Sequence, residues 1–196
     1  MSTIILVGSP KGNSQNCNSK IFAEEFVRDM KNPCETKYIA NNEPKKLVQY
    51  IESFDTIIFI LPLYIHAMPG IVMKFIEMLE PPTTKDKYIG FIIQAGFIET
   101  AQERFVEAYF SELAKQLNYN YLGTAASPFE AVPKMFRKVF RLLNDLGRVF
   151  EETHSFDKDI VKKLGKPYEL SKSILCILNI VNKIGLSNVG WHRELK

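Results

Sequence analysis

The stretch of sequence that decides the fold is TIILVGSPKGNSQNCNS, residues 3–19. Ile4 to Val7 form a short apolar run, which is typical of a strand buried in the middle of a parallel sheet. A turn rich in Gly, Ser and Asn follows, and large apolar side chains then recur at four-residue spacing, at Phe22, Phe26 and Met30. This spacing predicts a helix with one buried face. A strand, a polar loop and a helix start together suit a phosphate, because the helix start offers unpaired N–H groups and a partial positive charge.

Length and composition suit one soluble globular domain: the chain has 196 residues, of which 46% are hydrophobic and 24% charged. We expect no signal peptide and no membrane insertion. The N-terminus lacks a charged n-region, and the longest apolar run, residues 174–184, is interrupted by two Asn and one Lys. The three scattered cysteines argue against a disulfide framework and favour a cytoplasmic location.

The net charge of +3 is unevenly distributed, because residues 129–196 hold 13 Lys and Arg against 8 Asp and Glu. This excess either attracts an anionic ligand or forms a solvated helix face, and we favour the second interpretation. The basic clusters are short, so we expect no nucleic-acid partner. The histidines and cysteines show no ligand spacing, so we expect no metal site.

Further apolar runs predict four more strands, at residues 36–40, 57–61, 88–95 and 119–126. Amphipathic patterns between them predict the connecting helices, two of which begin near Pro44 and Pro69. Strands that alternate with helices predict an α/β protein with an open, doubly wound parallel sheet in three layers, α/β/α. Ligands bind such sheets beyond the carboxyl ends of the strands. The loops after Val7, Leu61 and Gln94 are all predicted to lie at that edge.

Proline positions predict where some of these elements end, and helical spacing predicts which side of a helix is buried. Pro62 is predicted to end the second strongly apolar strand, and Pro81-Pro82 the helix that begins near Pro69. In the helix before residue 119, a stripe of apolar side chains at four-residue spacing is predicted to pack against the core. Its members are Phe105, Tyr109, Leu113 and Leu117.

The character of the sequence changes after Pro128. Helices are predicted over residues 135–150, 157–164 and 171–184, with Gly185 as a stop. We therefore expect residues 1–128 to form the ligand-binding core and residues 129–196 to form a helical C-terminal extension packed on the same domain. Whether these helices cover the sheet, close over the site as a lid or serve as a dimerisation arm stays open at this point.

The first loop is neither a P-loop nor a dinucleotide fingerprint, because Gly8 and Gly12 match the spacing of neither motif. Its hydroxyl and amide side chains suit a terminal phosphate monoester, whose oxygens accept several hydrogen bonds at once. The alternative is an ordinary polar turn that caps a helix, with Ser19 as the N-cap.

Three markers in order resemble the flavodoxin-like NAD(P)H-dependent FMN reductase family, which includes the quinone reductases. The first is the GSPKG loop with Asn18-Ser19 at its end, and the second is LPLYIHAMPGIVMKFIE, residues 61–77. The third is QAGFIE, residues 94–99, which is similar to the family's glycine-aromatic loop. The resemblance covers residues 3–128 and implies a flavodoxin-like fold with bound FMN. The iron–sulfur branch of the family needs clustered cysteines, which this sequence lacks.

The resemblance also implies which residues bind the cofactor. The polar residues of the first loop and the first helix turn would hold the FMN phosphate, namely Ser9, Lys11, Asn16, Asn18 and Ser19. The second loop would line the ribityl chain and the isoalloxazine through Pro62, Leu63, Tyr64, Ala67 and Met68. The third loop would lie against the other edge of the ring through Ala95, Gly96 and Phe97. Lys11 stands where the family usually has Arg, which keeps the charge but loses bidentate geometry.

Several of these residues have a simpler interpretation. Tyr64 could be a core aromatic residue, and Phe97 a hydrophobic plug. Cys17 could be a reactive thiol at a helix start, but we interpret it as a small filler residue. The roles of His66 and Glu99 stay open.

The sequence thus predicts an FMN-dependent oxidoreductase with NAD(P)H as co-substrate and a quinone, flavin or similar small molecule as electron acceptor. The flavin would carry the chemistry, so no side chain is predicted to be catalytic. One alternative is a flavodoxin-type electron carrier without nicotinamide activity, although such carriers tend to be shorter and acidic. Another is a binding protein that kept the fold without the cofactor. The resemblance further implies a homodimer.

Overall fold

A sheet of five parallel strands forms the centre of the molecule. The computed structural model describes residues 1–32, 34–64, 67–83, 86–96, 100–128, 133–167, 169 and 171–183. The strands within these ranges are β1 (Thr3–Val7), β2 (Glu35–Tyr38), β3 (Thr56–Leu63), β4 (Tyr88–Ala95) and β5 (Asn120–Ser127). Their spatial order is β2-β1-β3-β4-β5, and every neighbouring pair is parallel.

Seven α-helices accompany the sheet in the part of the chain that the structure describes. They are α1 (Asn18–Val27), α2 (Pro44–Ile51), α3 (Gly70–Ile76), α4 (Arg104–Gln116), α5 (Pro133–Thr153), α6 (Lys158–Leu164) and α7 (Lys172–Lys183). Two short 3₁₀ helices, Ile39–Asn41 and Ala101–Glu103, complete the set. Pro44 occupies the first turn of α2, where its missing N–H costs no hydrogen bond.

The sheet buries both of its faces, as its continuous apolar strands require. One face carries Phe59 and Phe91 and packs against apolar residues of α2, α3 and α4. The other face carries Ile58 and Ile60 and packs against α1 and α5. The predicted three-layer, flavodoxin-like α/β fold with additional C-terminal helices is therefore confirmed.

Helix α5 is held closely against α1. A Cβ on Gly147 would overlap the backbone carbonyl of Phe26. The backbones of the two helices are therefore in direct contact at this point, which only glycine allows. The Glu151 carboxylate accepts hydrogen bonds from the N–H groups of Lys31 (3.0 Å) and Asn32 (2.7 Å), which hold its pKa below the ordinary value. Residues beyond Pro128 thus form part of one outer layer of the sheet, and α6 packs in turn against β5 and α5.

The prediction that Pro62 ends a strand is wrong, because β3 continues through it to Leu63. The carbonyl of Ile60 accepts from Gly8 N–H (2.9 Å), so Ile60 directs its backbone groups toward β1. Pro62, two residues further on, faces the same side, where the paired part of β1 has already ended at Val7. The missing N–H of Pro62 therefore breaks no ladder hydrogen bond.

The predicted stripe on α4 has the wrong phase. Phe105 and Tyr109 are 69% and 49% exposed, whereas Val106 and Phe110 are buried. Leu113 and Leu117 belong to both stripes, because a helix face recurs at three- and four-residue intervals rather than at four alone. Helix α3 likewise ends at Ile76, well before the prolines predicted to stop it.

Helix α7 contributes little to the core. Each of its described side chains is exposed, including the apolar residues Leu175, Ile177 and Ile180. Gly185, the predicted stop, lies outside the described residues. No helix among the described residues is both long and apolar enough to cross a membrane.

Candidate functional site

The carboxyl ends of β1, β3 and β4 meet at one edge of the sheet, as predicted. Val7 pairs with Ile60, and Leu63 pairs with Ala95, so the loops that follow these strands emerge side by side. The chain runs outward from β1 to β2 and then returns to the opposite side of β1 to form β3. The strand order therefore reverses between β1 and β3, and open α/β sheets bind ligands at such a point.

The loop between β1 and α1, residues 8–17, is folded upon its own backbone. Ser9 is buried, its carbonyl accepts from Gly12 N–H (3.0 Å), and its Oγ accepts from Lys11 N–H (3.3 Å). The Lys11 Nζ donates to the carbonyl of Asn16 (3.1 Å) across the loop. The side chains of Lys11 and Asn16 are exposed, so a cation and an amide stand at the surface of the β1–α1 loop.

Gly12 and Asn41 fix the shape of this loop. Gly12 has φ of +54°, a conformation that favours glycine, and a Cβ there would overlap the Asn41 side chain. Asn41 Oδ1 accepts from Asn13 N–H (2.9 Å), so the 3₁₀ helix after β2 supports the tip of the β1–α1 loop.

The start of α1 offers hydrogen-bond donors that have no partner among the described residues. Cys17 is the N-cap and makes no side-chain capping bond, so the interpretation of Ser19 as N-cap is wrong. Ser19 is 1% exposed and its Oγ makes no hydrogen bond. In the described part of the chain, no acceptor is paired with the N–H groups of Asn18 and Ser19. Cys17 itself is fully buried in the core, as the filler interpretation predicts.

This donor set fits the FMN phosphate that the sequence predicts. A buried hydroxyl without a partner is costly, and unpaired N–H groups at a helix start carry the positive end of the helix dipole. Both features are satisfied by an anion with several acceptor oxygens. The structure brings Ser9, Lys11, Asn16, Asn18 and Ser19 into one loop and one helix turn.

The loop after β3 carries an exposed aromatic side chain at the same edge of the sheet. Tyr64 is 50% exposed, so its interpretation as a core residue is wrong. Tyr64 and Ala67 exchange backbone hydrogen bonds of 2.8 and 3.1 Å, which close a tight turn. Leu63 is buried and Met68 packs partly against the core, while His66 lies outside the described residues. Tyr64 and Ala67 are thus exposed, while Leu63 and Met68 on either side of them contact the core.

The loop after β4 is described at its two ends. Ala95 is buried, and Gly96 is exposed with open space around the position a Cβ would take. The predicted site residue Phe97 and the neighbouring Glu99 lie outside the described residues. At the far end of the loop, Thr100 Oγ1 donates to the carbonyl of Gly165 (2.6 Å). This bond ties the loop after β4 to the segment that follows α6.

Sequence reasoning missed one polar residue near this edge, Glu103. Its side chain is 3% exposed, and neither carboxyl oxygen has a hydrogen-bond partner in the part of the chain that the structure describes. Burial raises the pKa of Glu103 from 4.5 to about 8. The spacing of the sequence could have predicted that Glu103 is buried. Glu103 lies three residues before Val106 and seven before Phe110, so all three share the buried side of the helix.

With the fold and site described, comparison with known proteins identifies the family. Residues 1–130 match the family described as NADPH-dependent FMN reductase, so the chain belongs to that family. The predicted cofactor, FMN with NAD(P)H as co-substrate, is thereby confirmed at the level of the family. The sequence matches none of the curated proteins.

Solved structures with the same fold are distant in sequence. An NADPH-quinone reductase from P. pentosaceus is 16% identical with a TM-score of 0.59, over 74% of this chain and 96% of that one. General stress protein 14 from Treponema denticola, in complex with FMN, is 13% identical with a TM-score of 0.60, over 78% and 98%. An FMN-dependent NADH-azoreductase from Bacillus anthracis, also in complex with FMN, is 11% identical with a TM-score of 0.57, over 75% and 98%. These similarities establish the fold.

Proposed function

We propose that this protein is an FMN-dependent NAD(P)H oxidoreductase that passes electrons to a quinone, a flavin or a similar small acceptor. The observation that carries the proposal is the set of donors at the start of α1 that have no partner among the described residues, at the sheet edge where the loops after β1 and β3 emerge. Family membership supports the cofactor. The neighbours named as quinone reductase and azoreductase support small aromatic acceptors as the class to test.

In this proposal the β1–α1 loop holds the FMN phosphate. Ser19 Oγ and the N–H groups of Asn18 and Ser19 donate to it, with Ser9, Lys11 and Asn16 around them. The buried hydroxyl would gain in the complex the partner that it lacks in the protein alone. Lys11 adds charge at the rim of the phosphate site.

The turn after β3 and the loop after β4 hold the rest of the cofactor. Small residues at the loop surfaces, Ala67 and Gly96, leave room for a flat ring to approach the backbone. Pro62, Leu63, Tyr64 and Met68 would supply apolar contact on one side, and Ala95 on the other. When bound, the flavin accepts hydride and returns electrons singly or in pairs, and the protein's residues bind and orient it.

The visible absorption spectrum tests this proposal. The purified protein, incubated with FMN and desalted, should keep flavin absorption, and anaerobic NADH or NADPH should bleach it. Added quinone should then restore the absorption. Flavin that resists both nicotinamides would favour the electron-carrier alternative, and a protein that retains no flavin would contradict the proposal.

We further propose that the protein acts as a homodimer in the cytoplasm. Helix α7 exposes Leu175 and, on another side, Ile177 and Ile180, and exposed apolar side chains of this size are commonly covered in an assembly. Three free cysteines support a reducing compartment. Light scattering at micromolar concentration should give about twice the chain mass, and Ile177→Glu with Ile180→Glu should shift it toward the monomer. A monomeric wild type would contradict the dimer.

A further inference from the structure

Thr100 lies where the loop after β4 enters α4, and its backbone and side chain are all hydrogen-bonded. Thr100 is 5% exposed. Its carbonyl accepts from Glu103 N–H (2.9 Å) at the start of the 3₁₀ helix that precedes α4. Its N–H donates to the carbonyl of Pro167 (3.2 Å), and its Oγ1 donates to the carbonyl of Gly165 (2.6 Å). Thr100 is therefore fixed both by the start of α4 and by the segment that follows α6.

The segment that accepts two of these bonds, residues 165–167, follows a helix that is itself well anchored. Leu164, the last residue of α6, is 1% exposed and belongs to the core. At the start of α6, the Asp157 side chain caps the helix by accepting from Ile160 N–H (2.8 Å). The helix packs against β5 and α5. Residues 165–167 thus present two carbonyls to Thr100 from a fixed support.

These two carbonyls come from the C-terminal extension of the chain. The match to the family covers residues 1–130, whereas the carbonyls belong to Gly165 and Pro167. Residues beyond the part of the chain that matches the family therefore hold one end of a loop at the proposed flavin site.

The other end of the same loop is fixed by the sheet. Ala95 pairs with Leu63 where β3 and β4 end, and the exposed Gly96 follows directly. Gly96 and Thr100 are only four positions apart in the sequence. Fixing both described ends of a loop this short reduces the conformational entropy that the loop loses when a ligand binds.

We propose that Thr100 is a positioning residue, through which the C-terminal extension holds the loop after β4 in place to receive the flavin ring. Thr100 acts on the flavin through this loop and not by contact. The proposal rests on the proposed function, which assigns the ring to this loop and the phosphate to the start of α1. Loss of the Thr100 hydroxyl should therefore weaken binding of the ring and leave binding of the phosphate unaffected.

Amide hydrogen exchange of the flavin-free protein tests the structural part of the proposal. Thr100→Val keeps the shape of the side chain and removes the bond from Oγ1 to Gly165. Because the Thr100 N–H then has less support for its bond to Pro167, it should exchange about tenfold faster, as expected for the loss of one hydrogen bond. Thr100→Ser keeps the hydroxyl and should exchange nearly as the wild type does. Nuclear magnetic resonance resolves this single amide.

Fluorescence titration with FMN and with riboflavin tests the functional part. Riboflavin has the same ring without the phosphate. Thr100→Val should weaken both ligands by the same factor, about three- to tenfold, whereas Thr100→Ser should bind both nearly as the wild type does. Ser19→Ala should weaken FMN and leave riboflavin unchanged, because Ser19 is proposed to bind only the phosphate.

Thr124→Val is the matched control. Thr124 is also 5% exposed, and its hydroxyl lies 2.6 Å from the Tyr121 hydroxyl, a partner within β5. The variant thus removes a buried threonine hydroxyl that makes no bond to the loop after β4. It should change neither the exchange of the Thr100 amide nor the affinity for either flavin, which separates a loss of positioning from a general loss of stability.

Three results would overturn the proposal while leaving the proposed function in place. Thr100→Val could bind both flavins as tightly as the wild type does, it could lose affinity for FMN alone, or Thr124→Val could cause the same losses. A wild-type protein that takes up no FMN would instead overturn the proposed function, and this inference with it. The wild-type titration therefore tells the two failures apart.

Discussion

The start of α1 and the start of α4 each bury a polar group that has no partner among the described residues, but the two groups are of opposite kinds. At the start of α1, Ser19 Oγ lies among unpaired N–H donors. At the start of α4, Glu103 is a carboxyl whose pKa burial raises to about 8. The first arrangement suits an anion, whereas the second keeps a carboxyl protonated. Both lower the stability of the flavin-free protein.

The largest expected effect is that of Glu103→Gln on stability above neutral pH. The folded protein keeps Glu103 protonated up to about pH 8, whereas the unfolded chain loses this proton near the ordinary pKa of 4.5. The folded state thus binds more protons between these values, and stability falls as pH rises through that window. Glutamine does not titrate, so the variant should be more stable at pH 8.5 by on the order of 4 kcal/mol. Urea unfolding at pH 4 and pH 8.5 measures the difference.

Two comparisons keep this result interpretable. At pH 4 the Glu103 carboxyl of the wild type is mostly protonated in both the folded and the unfolded chain. The variant and the wild type should therefore have nearly equal free energies of unfolding at this pH. Glu107→Gln, four residues further along and exposed, should change stability by less than about 0.5 kcal/mol at either pH. An equal effect of Glu103→Gln at both pH values would show that burial does not raise the pKa of Glu103.

Ser19→Ala should change stability and binding in opposite directions. Removing a buried, unpaired hydroxyl should slightly stabilise the flavin-free protein. The same change removes a hydrogen bond to a charged phosphate, so FMN affinity should fall about 10- to 100-fold. Fluorescence titration of FMN measures the affinity. Ser53→Ala, which changes an exposed hydroxyl at the opposite edge of the sheet, is the control and should bind FMN as wild type does. Equal FMN affinities for wild type and Ser19→Ala would contradict the phosphate site.

Most of the sheet could be predicted because its strands are buried on both faces and read as continuous apolar runs. The loop positions followed from topology alone, since parallel strands end at the same edge. The end of β3 could not be predicted, because it depends on where β1 stops pairing beside Pro62. The close contact at Gly147 likewise depends on a tertiary neighbour, Phe26, that no local pattern reveals.

The candidate site also contains residues that could be predicted from the sequence and one nearby residue that could not. The donors of the β1–α1 loop could be predicted from composition, because Ser and Asn before a helix suit an anion whatever surrounds them. Glu103 was missed because a strict four-residue spacing was followed through Phe105 and Tyr109, which are exposed. The observed stripe, through Val106 and Phe110, includes Glu103, but its burial is evident only once α4 is placed on the sheet.

Two glycines should show that the β1–α1 loop is closely packed and the end of α6 is not. A Cβ on Gly8 would lie 2.6 Å from Val72 Cγ2 and 3.0 Å from Leu61 Cβ, so Gly8→Ala should destabilise the protein by about 1–3 kcal/mol. On Gly165, which follows α6, the nearest contact would be 3.4 Å, so Gly165→Ala should cost less than about 1 kcal/mol. Thermal unfolding compares the two, and equal losses would contradict the difference in packing.

The smallest expected effect is that of Lys11→Met on FMN affinity. The Lys11 side chain is exposed, and its Nζ already donates to the Asn16 carbonyl, so its attraction for a phosphate is screened by water and salt. We expect a loss of about three- to tenfold at low ionic strength that shrinks in 0.5 M salt. Lys115→Met, at the far end of α4, should have no effect on FMN. Equal losses for Lys11→Met and Lys115→Met would mean that Lys11 acts only through the overall charge of the protein, and its place at the rim of the phosphate site would then be wrong.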